Sequence, residues 1–438
     1  MEWPLILLCI FAGLIILLLT GLPVAISFMI VNVVGVYIFW GGDVGLGQLF
    51  LSMKDSVRNF VLLPIPFFIL LGNVLFYSGM AGRAISVVDK WLGSLPGRLS
   101  LLAVGSGVVV SALSGSAVAS AAMLGSTLVP DMEKRGYKTP MSVGPILGSG
   151  GIAMIIPPSG DIVLLASLAY LSVGTLLIAG ILPGILMGVL YATYVIVRCY
   201  LQPSLAPPYK VAPIPLLQKI KRTVFDVVPI GIIIFLVTGV IILGIATPSE
   251  AAAMGAFGAF VLAACYKCLT WKIIKDSILS ATKVTVMLLT ILLGAIAFSQ
   301  ILGFSGCIKG LLGFTTSLPL SPIAILISMQ IVVLILGCFM DEVAIMMMII
   351  PIYMPIVHAL GFDPIWFAII LLINLEMALT TPPFGMILFV MKGAAPHIKI
   401  SDIYKAALPF LACDAIAIAL IIIFPKIALW LPSLMITR

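Results

Sequence analysis

Apolar positions in this chain come in long runs, with polar residues gathered in the gaps between them. The runs cover 3–20, 22–40, 60–78, 101–129, 141–156, 160–175, 177–197, 224–246, 251–266, 284–303, 322–340, 343–357, 364–380, 384–395 and 406–424. No long series of ten-residue segments alternates apolar with polar, so the pattern predicts helices and argues against a membrane barrel. A spanning helix needs about 20 residues, and most runs reach or approach that length. Two of them, 141–156 and 384–395, are short and end at Pro or Gly. The reading is an all-α polytopic membrane protein with roughly a dozen segments.

Composition sharpens this. Of 438 residues, 62% are hydrophobic and 9% charged, whereas a soluble domain carries roughly 25% charged residues. That supply cannot build a water-facing surface, so a soluble enzyme is excluded. Gly 40 and Pro 29 exceed what straight helices need and predict broken ones. The net charge is 23 − 16 = +7. The basic residues sit in short loops between apolar runs, so the excess reflects the positive-inside rule and not nucleic-acid binding. Segment 199–223 holds Lys210, Lys219, Lys221 and Arg222 with no acid, and 267–283 holds Lys267, Lys272, Lys275 and Lys283 against Asp276. Both read as cytoplasmic, and the Thr247–Glu250 turn between them as external. Segment 199–223 also carries Pro203, Pro207, Pro208, Pro213 and Pro215, which suits a linker between two halves.

The first apolar run follows no basic n-region and precedes no convincing cleavage site, so it reads as a membrane helix and not a signal peptide. Seven cysteines lie mostly inside apolar runs and imply no disulfide framework. Cys265 and Cys268 form a lone CxxC with no second pair, which reads as incidental.

Sliding the sequence on itself by 225 residues exposes an internal repeat. Val118, Ala119, Met123, Pro130, Gly136, Leu147, Ala153, Pro157, Pro158 and Gly160 meet identical residues at Val343, Ala344, Met348, Pro355, Gly361, Leu372, Ala378, Pro382, Pro383 and Gly385. Matches of Val, Leu, Ala and Met are weak in an apolar chain, but aligned Pro and Gly are not. Such repeats mark secondary transporters, whose binding sites sit at matching interruptions of hydrophobic segments. Here the interruptions are Ser114-Gly115-Ser116 and Pro157-Pro158-Ser159, then Gly337 to Glu342 and Thr380-Thr381-Pro382-Pro383. Proline frees a backbone carbonyl. Freed carbonyls with Ser and Thr hydroxyls form an oxygen cage suited to Na⁺, while nearby helix N-termini favour an anion.

Acids inside apolar runs are candidates by default. Asp341 and Glu342 are either site residues or the wet tip of a hairpin. Asp161 is either a first-turn cap or a site acid. Asn374 could bond freed backbone groups, and Glu376 is either an interior pair or a site edge. Asp414 reads as a structural pair, and His358 and His397 as structural residues at helix ends. No zinc spacing, P-loop GxxxxGK[ST] or GxSxG elbow occurs, so neither ATP hydrolysis by this chain nor an organic cofactor is expected. Gly148-Ser149-Gly150 reads as small residues for close helix packing, and Met346-Met347-Met348 as a lipid- or core-facing run.

Several stretches together resemble the large membrane subunit (the M, or DctM-like, subunit) of tripartite ATP-independent periplasmic (TRAP) transporters. They are Ser114-Gly115-Ser116-Ala117-Val118-Ala119, Ile156-Pro157-Pro158-Ser159, Thr247-Pro248-Ser249-Glu250-Ala251-Ala252-Ala253, Gly337-x-Phe339-x-Asp341, Asn374-Leu375-Glu376 and Thr381-Pro382-Pro383-x-Gly385. Their order and spacing fit over about residues 4–432.

The resemblance implies two inverted repeats, each with a re-entrant hairpin and a broken helix, and an elevator motion of a transport domain against a scaffold. It implies scaffold helices over 1–100 and 224–321, transport-domain repeats over 101–198 and 322–405, a cytoplasmic linker at 199–223 and a C-terminal helix over 406–438. It implies Na⁺-driven import of an organic acid across the bacterial inner membrane. The expected partners are a small four-helix membrane subunit and a periplasmic substrate-binding protein. Carried over, the candidate site comprises Ser114, Gly115, Ser116, Ser120, Pro157, Ser159, Gly337, Asp341, Asn374, Thr380, Thr381 and Pro382. Na⁺ falls near Ser114, Ser116, Asp341, Thr380 and Thr381.

The chain departs from the family pattern in three places. Ser120 stands where the family commonly has Asp, Asp161 where relatives have a hydrophobic residue or Pro, and Glu342 adds an acid. A stand-alone Na⁺/carboxylate symporter of the same superfamily is the alternative. A subunit of a membrane-embedded enzyme complex is a remote one, because the chain has two His and few buried basic residues.

Overall fold

The computed structural model describes residues 2–57, 62–93, 95–114, 117–207, 215–338 and 340–435. Among them it contains helices and no strand. Many helices start where the sequence supplies a cap or a proline. Proline at the first turn loses no hydrogen bond, because those N–H groups have no partner inside the helix.

The first stretch holds α1 (Trp3–Leu19), α2 (Val24–Phe39), α3 (Asp43–Val57), α4 (Pro64–Tyr77) and α5 (Met80–Leu92). The chain bends by 67° between α4 and α5, at Gly79 with a left-handed φ of 76°. Next come α6 (Arg98–Ser114), α7 (Ala117–Lys134), α8 (Thr139–Ser142), α9 (Gly144–Ile155), α10 (Gly160–Leu168), α11 (Val173–Ala179) and α12 (Ile181–Leu201).

The second half opens with α13 (Leu216–Asp226) and α14 (Val228–Ile242), which meet at 44°. α15 (Pro248–Cys265) follows a capping box, in which Thr247 N donates to Glu250 Oε2 at 2.8 Å and Glu250 N to Thr247 Oγ1 at 3.3 Å. α16 (Trp271–Phe304) has 34 residues, about 51 Å at ~1.5 Å per residue, so it outreaches a hydrocarbon core of about 30 Å. The chain closes with α17 (Cys307–Ser317), α18 (Pro322–Gly337), α19 (Glu342–Ala359), α20 (Pro364–Thr380), α21 (Met386–Ala394), α22 (Ile400–Ile423) and α23 (Lys426–Ser433).

Among the described residues, five helices are long and apolar enough to cross a membrane, or up to seven if each bent pair counts as one span. That is fewer than the dozen segments the apolar runs predict. The difference lies partly in length, because α1, α2, α18 and α20 have 16 or 17 residues each, and partly in breaks such as the one that divides run 101–129 between α6 and α7.

Close packing uses small residues. α15 presents Ala251, Ala252, Gly255, Ala256, Ala259 and Ala263 to the core; a Cβ on Gly255 would lie 2.6 Å from Leu71 of α4. α2 packs on α16 through an edge-on Phe28–Phe298 pair at 5.1 Å and a hydrogen bond of 2.7 Å from Asn32 Nδ2 to Gly294 O. On α6 and α9, a Cβ on Gly107 would fall 1.8 Å from Ser149 Oγ, and one on Gly150 would fall 3.1 Å from Ala117. The Gly148-Ser149-Gly150 stretch therefore serves close helix contact. Met346, Met347 and Met348 are fully buried, so that run faces the core and not lipid.

The 225-residue offset reappears in the helix boundaries. α7 runs from 117 to 134, and adding 225 gives 342 to 359, the bounds of α19. α8 starts at 139 and α9 ends at 155, which become 364 and 380, the bounds of α20. The first copy is interrupted at Val143, where Gly144-Pro145 stands in place of Ile369-Ile370.

A smaller core joins the two copies. Val110, Ala117, Ala121 and Leu124 pack with Ile387, Leu388 and Met391 of α21. The helix that follows the second proline break thus rests on the first hairpin arm.

Candidate functional site

Both proline breaks divide a helix. At the first, α9 ends at Ile155 and α10 restarts at Gly160, with Pro157 and Pro158 buried between them. Ser159 ties the two ends together: its hydroxyl donates to Met154 O at 2.6 Å and accepts from Ile162 N at 3.3 Å. A Cβ on Gly180 would lie 2.1 Å from Ile155 O, so only glycine lets α12 start this close to the break.

At the second break, α20 ends at Thr380 and α21 restarts at Met386. Thr381 Oγ1 donates to Met377 O at 2.6 Å, and Thr380 Oγ1 to Met377 O at 3.1 Å. A hydroxyl that donates to a carbonyl keeps its lone pairs, so both oxygens can still face a cation. Gly385 closes the turn, its N–H donating to Thr381 O at 3.1 Å. A Cβ there would sit 2.5 Å from Leu379 O.

The second hairpin tip lies against this break. Gly337 ends α18 and packs on α20, where a Cβ would come 2.1 Å from the Cβ of Ala378. Asp341 is the residue before α19, with an extended backbone at φ −76° and ψ 160°. A cavity of about 430 Å³ is lined by Gly337, Cys338, Asp341, Phe384, Met386 and Phe389. Asp341 therefore shares one space with Phe384 and Met386, just past the break, while Thr380, Thr381 and Pro382 are not part of its lining.

Among the described residues, Pro157, Ser159 and Ser120 are not part of that cavity's lining. Ser114 ends α6, while Gly115 and Ser116 lie outside the described residues, as does Phe339. Ser120 is buried on α7, its hydroxyl 3.5 Å from Gly107 O. Asn374 points elsewhere: its Nδ2 donates to Gln330 O and Gln330 Oε1, both at 2.8 Å, joining α20 to α18.

One further acid, Glu376, is buried on α20. It is 1% exposed, and neither carboxylate oxygen has a hydrogen-bond partner. Its side chain fills the space over Gly151, where a Cβ would fall 1.7 Å from Glu376 Cγ. These two positions are themselves equivalent, since 376 − 225 = 151. Asp414 is paired, accepting a hydrogen bond from the Tyr191 hydroxyl. The signal for Glu376 was an ionisable residue in an apolar run; nothing in the linear pattern said that it would lie over Gly151.

Among the described residues, no group of three or more His, Cys, Asp or Glu could hold a metal ion. The oxygens at the two breaks come from hydroxyls and backbone carbonyls, with Asp341 beside the second.

The family profile described as "Tripartite ATP-independent periplasmic transporter, DctM component" matches residues 11–427. The C4-dicarboxylate TRAP transporter large permease protein DctM of Pseudomonas aeruginosa is 32% identical, over 88% of this chain and 89% of the relative. The ectoine TRAP transporter large permease protein TeaC of Halomonas elongata is 28% identical, over 95% and 97%. Among solved structures, the YdaH transporter of Alcanivorax borkumensis superposes with a TM-score of 0.64 over 90% of both chains at 14% identity, a likeness of fold.

Proposed function

We propose a function that proceeds from one fact: this chain belongs to the DctM component of the tripartite ATP-independent periplasmic (TRAP) transporter family. It is a multi-pass membrane transporter component and not an enzyme. In our reading it imports an organic acid across the bacterial inner membrane, driven by a Na⁺ gradient. A periplasmic binding protein delivers the substrate, and a small four-helix subunit completes the membrane complex.

The two halves form inverted repeats. Residues 101–198 and 322–405 make the moving transport domain, and 1–100 and 224–321 the scaffold. The 199–223 segment links the halves on the cytoplasmic side, and 406–438 closes the chain. The site lies between the hairpin tips at Ser114–Ser116 and Asp341 and the breaks at Pro157–Ser159 and Thr380–Pro382. Na⁺ is held by hydroxyl and carbonyl oxygens near Ser114, Ser116, Asp341, Thr380 and Thr381. The substrate carboxylate faces the helix starts at Gly160 and Met386, where free N–H groups favour an anion.

The observation that carries this reading is the cavity where Asp341 meets the second break, at an interruption repeated 225 residues away. The substrate stays at the level of a class, because relatives of similar identity carry the names of a C4-dicarboxylate and an ectoine transporter.

The test is uptake into proteoliposomes containing the chain and the small subunit, with the binding protein outside. We expect accumulation only with an inward Na⁺ gradient. Equal uptake with K⁺ in its place would overturn the coupling. Full uptake by this chain with no partner present would establish the stand-alone symporter instead.

A further inference from the structure

α5 and α13 share features that transport does not explain. Each meets an apolar helix at a bend, α5 at 67° to α4 and α13 at 44° to α14. Neither therefore continues along the axis of its neighbour. α13 buries none of its residues. Its apolar Leu216, Leu217, Ile220 and Val224 recur every three or four positions and are exposed, Leu217 at 78%. Arg222 lies opposite that apolar face and Lys219 and Lys221 flank it, which with Asp226 gives the helix a net 3 − 1 = +2. An apolar face opposite a basic one is the pattern of a helix lying in the membrane interface.

The two helices are locked together. Trp91 Nε1 donates to Thr223 Oγ1 at 2.8 Å, and Lys219 Nζ sits 5.8 Å from the centre of the Trp91 ring. The Tyr266 hydroxyl donates to Phe225 O, and Arg83 lies over the Tyr266 ring at 5.3 Å. Beyond this contact, Gln218, Lys221, Arg222, Phe225 and Asp226 line an open recess of about 480 Å³. Lys221 and Arg222 are exposed at its rim.

We infer that the α5–α13 platform docks an anionic phospholipid of the cytoplasmic leaflet. Lys221 and Arg222 hold the headgroup phosphate, while Leu216, Leu217, Ile220 and Val224 insert among the acyl chains. Charge complementarity selects this occupant: the platform joins cations at headgroup level to apolar side chains that would otherwise face water. The placement rests on the orientation proposed above, in which 199–223 faces the cytoplasm. The function of the platform is to hold the end of α14 at a set depth in the bilayer.

The experiment is native mass spectrometry of the full chain in neutral detergent, titrated with phosphatidylglycerol or with phosphatidylcholine of the same acyl chains. The wild type should prefer phosphatidylglycerol, and excess inorganic phosphate should not displace it. A cation at an anionic surface contributes about fivefold in affinity, so Lys221→Gln with Arg222→Gln should weaken phosphatidylglycerol about 30-fold and leave phosphatidylcholine unchanged. Leu217→Gln should weaken both lipids, which separates insertion from charge. Equal binding of the two lipids, an unchanged preference in the double variant, or displacement by free phosphate would each overturn the inference. Binding in detergent needs neither Na⁺ nor substrate, so its failure leaves the transport reading standing.

Discussion

Gly337 and Asp341 show how much of the site is decided by single atoms. The hairpin tip reaches α20 because position 337 has no side chain; a Cβ would collide with that of Ala378 at 2.1 Å. Overpacking of this kind costs about 1–3 kcal/mol. Gly337→Ala should lower thermal stability and uptake together, and Gly337→Ala with Ala378→Gly should restore both in the same melting and uptake assays. In the proposed site Asp341 supplies charge instead of shape. A unit charge about 4 Å from a cation is worth about 4 kcal/mol at an effective dielectric of about 20. Asp341→Asn should therefore raise the Na⁺ concentration for half-maximal uptake by at least about tenfold. An unchanged Na⁺ dependence, with Ser114→Ala also silent, would remove both residues from the ion site.

At the scale of elements, the starts of helices are more legible than their ends. The Thr247-Pro248-Ser249-Glu250 turn is a capping box in the sequence and in the structure, because both bonds are local. Removing such a cap costs about 1 kcal/mol. Thr247→Ala should lower the melting temperature by a few degrees without changing Na⁺ dependence, since it lies far along the chain from both breaks. The breaks themselves were also legible, at Pro157-Pro158 and Pro382-Pro383, because proline cannot continue a helical hydrogen-bond ladder. The interruption at Val143 was not. Gly144-Pro145 was one pair among many small residues, and its effect depends on how α8 turns into α9. Asn374 reads as a partner for freed backbone, yet it bonds Gln330, because α18 lies alongside.

For the whole molecule, the central question is whether one set of helices slides past another. A cleft of about 290 Å³ is lined by Ser52 and Asp55 of α3, Ser167 and Tyr170 at the end of α10, and Leu292, Ile296 and Gln300 of α16. It separates a proposed moving element from two proposed scaffold elements. In a cysteine-free background, Ser167→Cys with Leu292→Cys should form a bridge with a short thiol cross-linker. Uptake should stop when the bridge forms and return on cleavage. Full uptake through the intact bridge would contradict an elevator motion at this boundary.

The sequence by itself determined the all-helical membrane class, the positions of the proline breaks, the 225-residue repeat and the family. Each depends on near neighbours, on period or on order along the chain, which a linear pattern preserves. The tertiary structure decided which interruptions share a space. It set Asp341 beside the second break, turned Asn374 towards Gln330, and laid α21 against the first hairpin arm. It also set Glu376 over Gly151, 225 positions away (376 − 151). Such meetings depend on helix packing around Gly107, Gly151 and Gly337, where a missing side chain lets two backbones approach. The one-dimensional pattern records that these residues are small, but not what comes close to them.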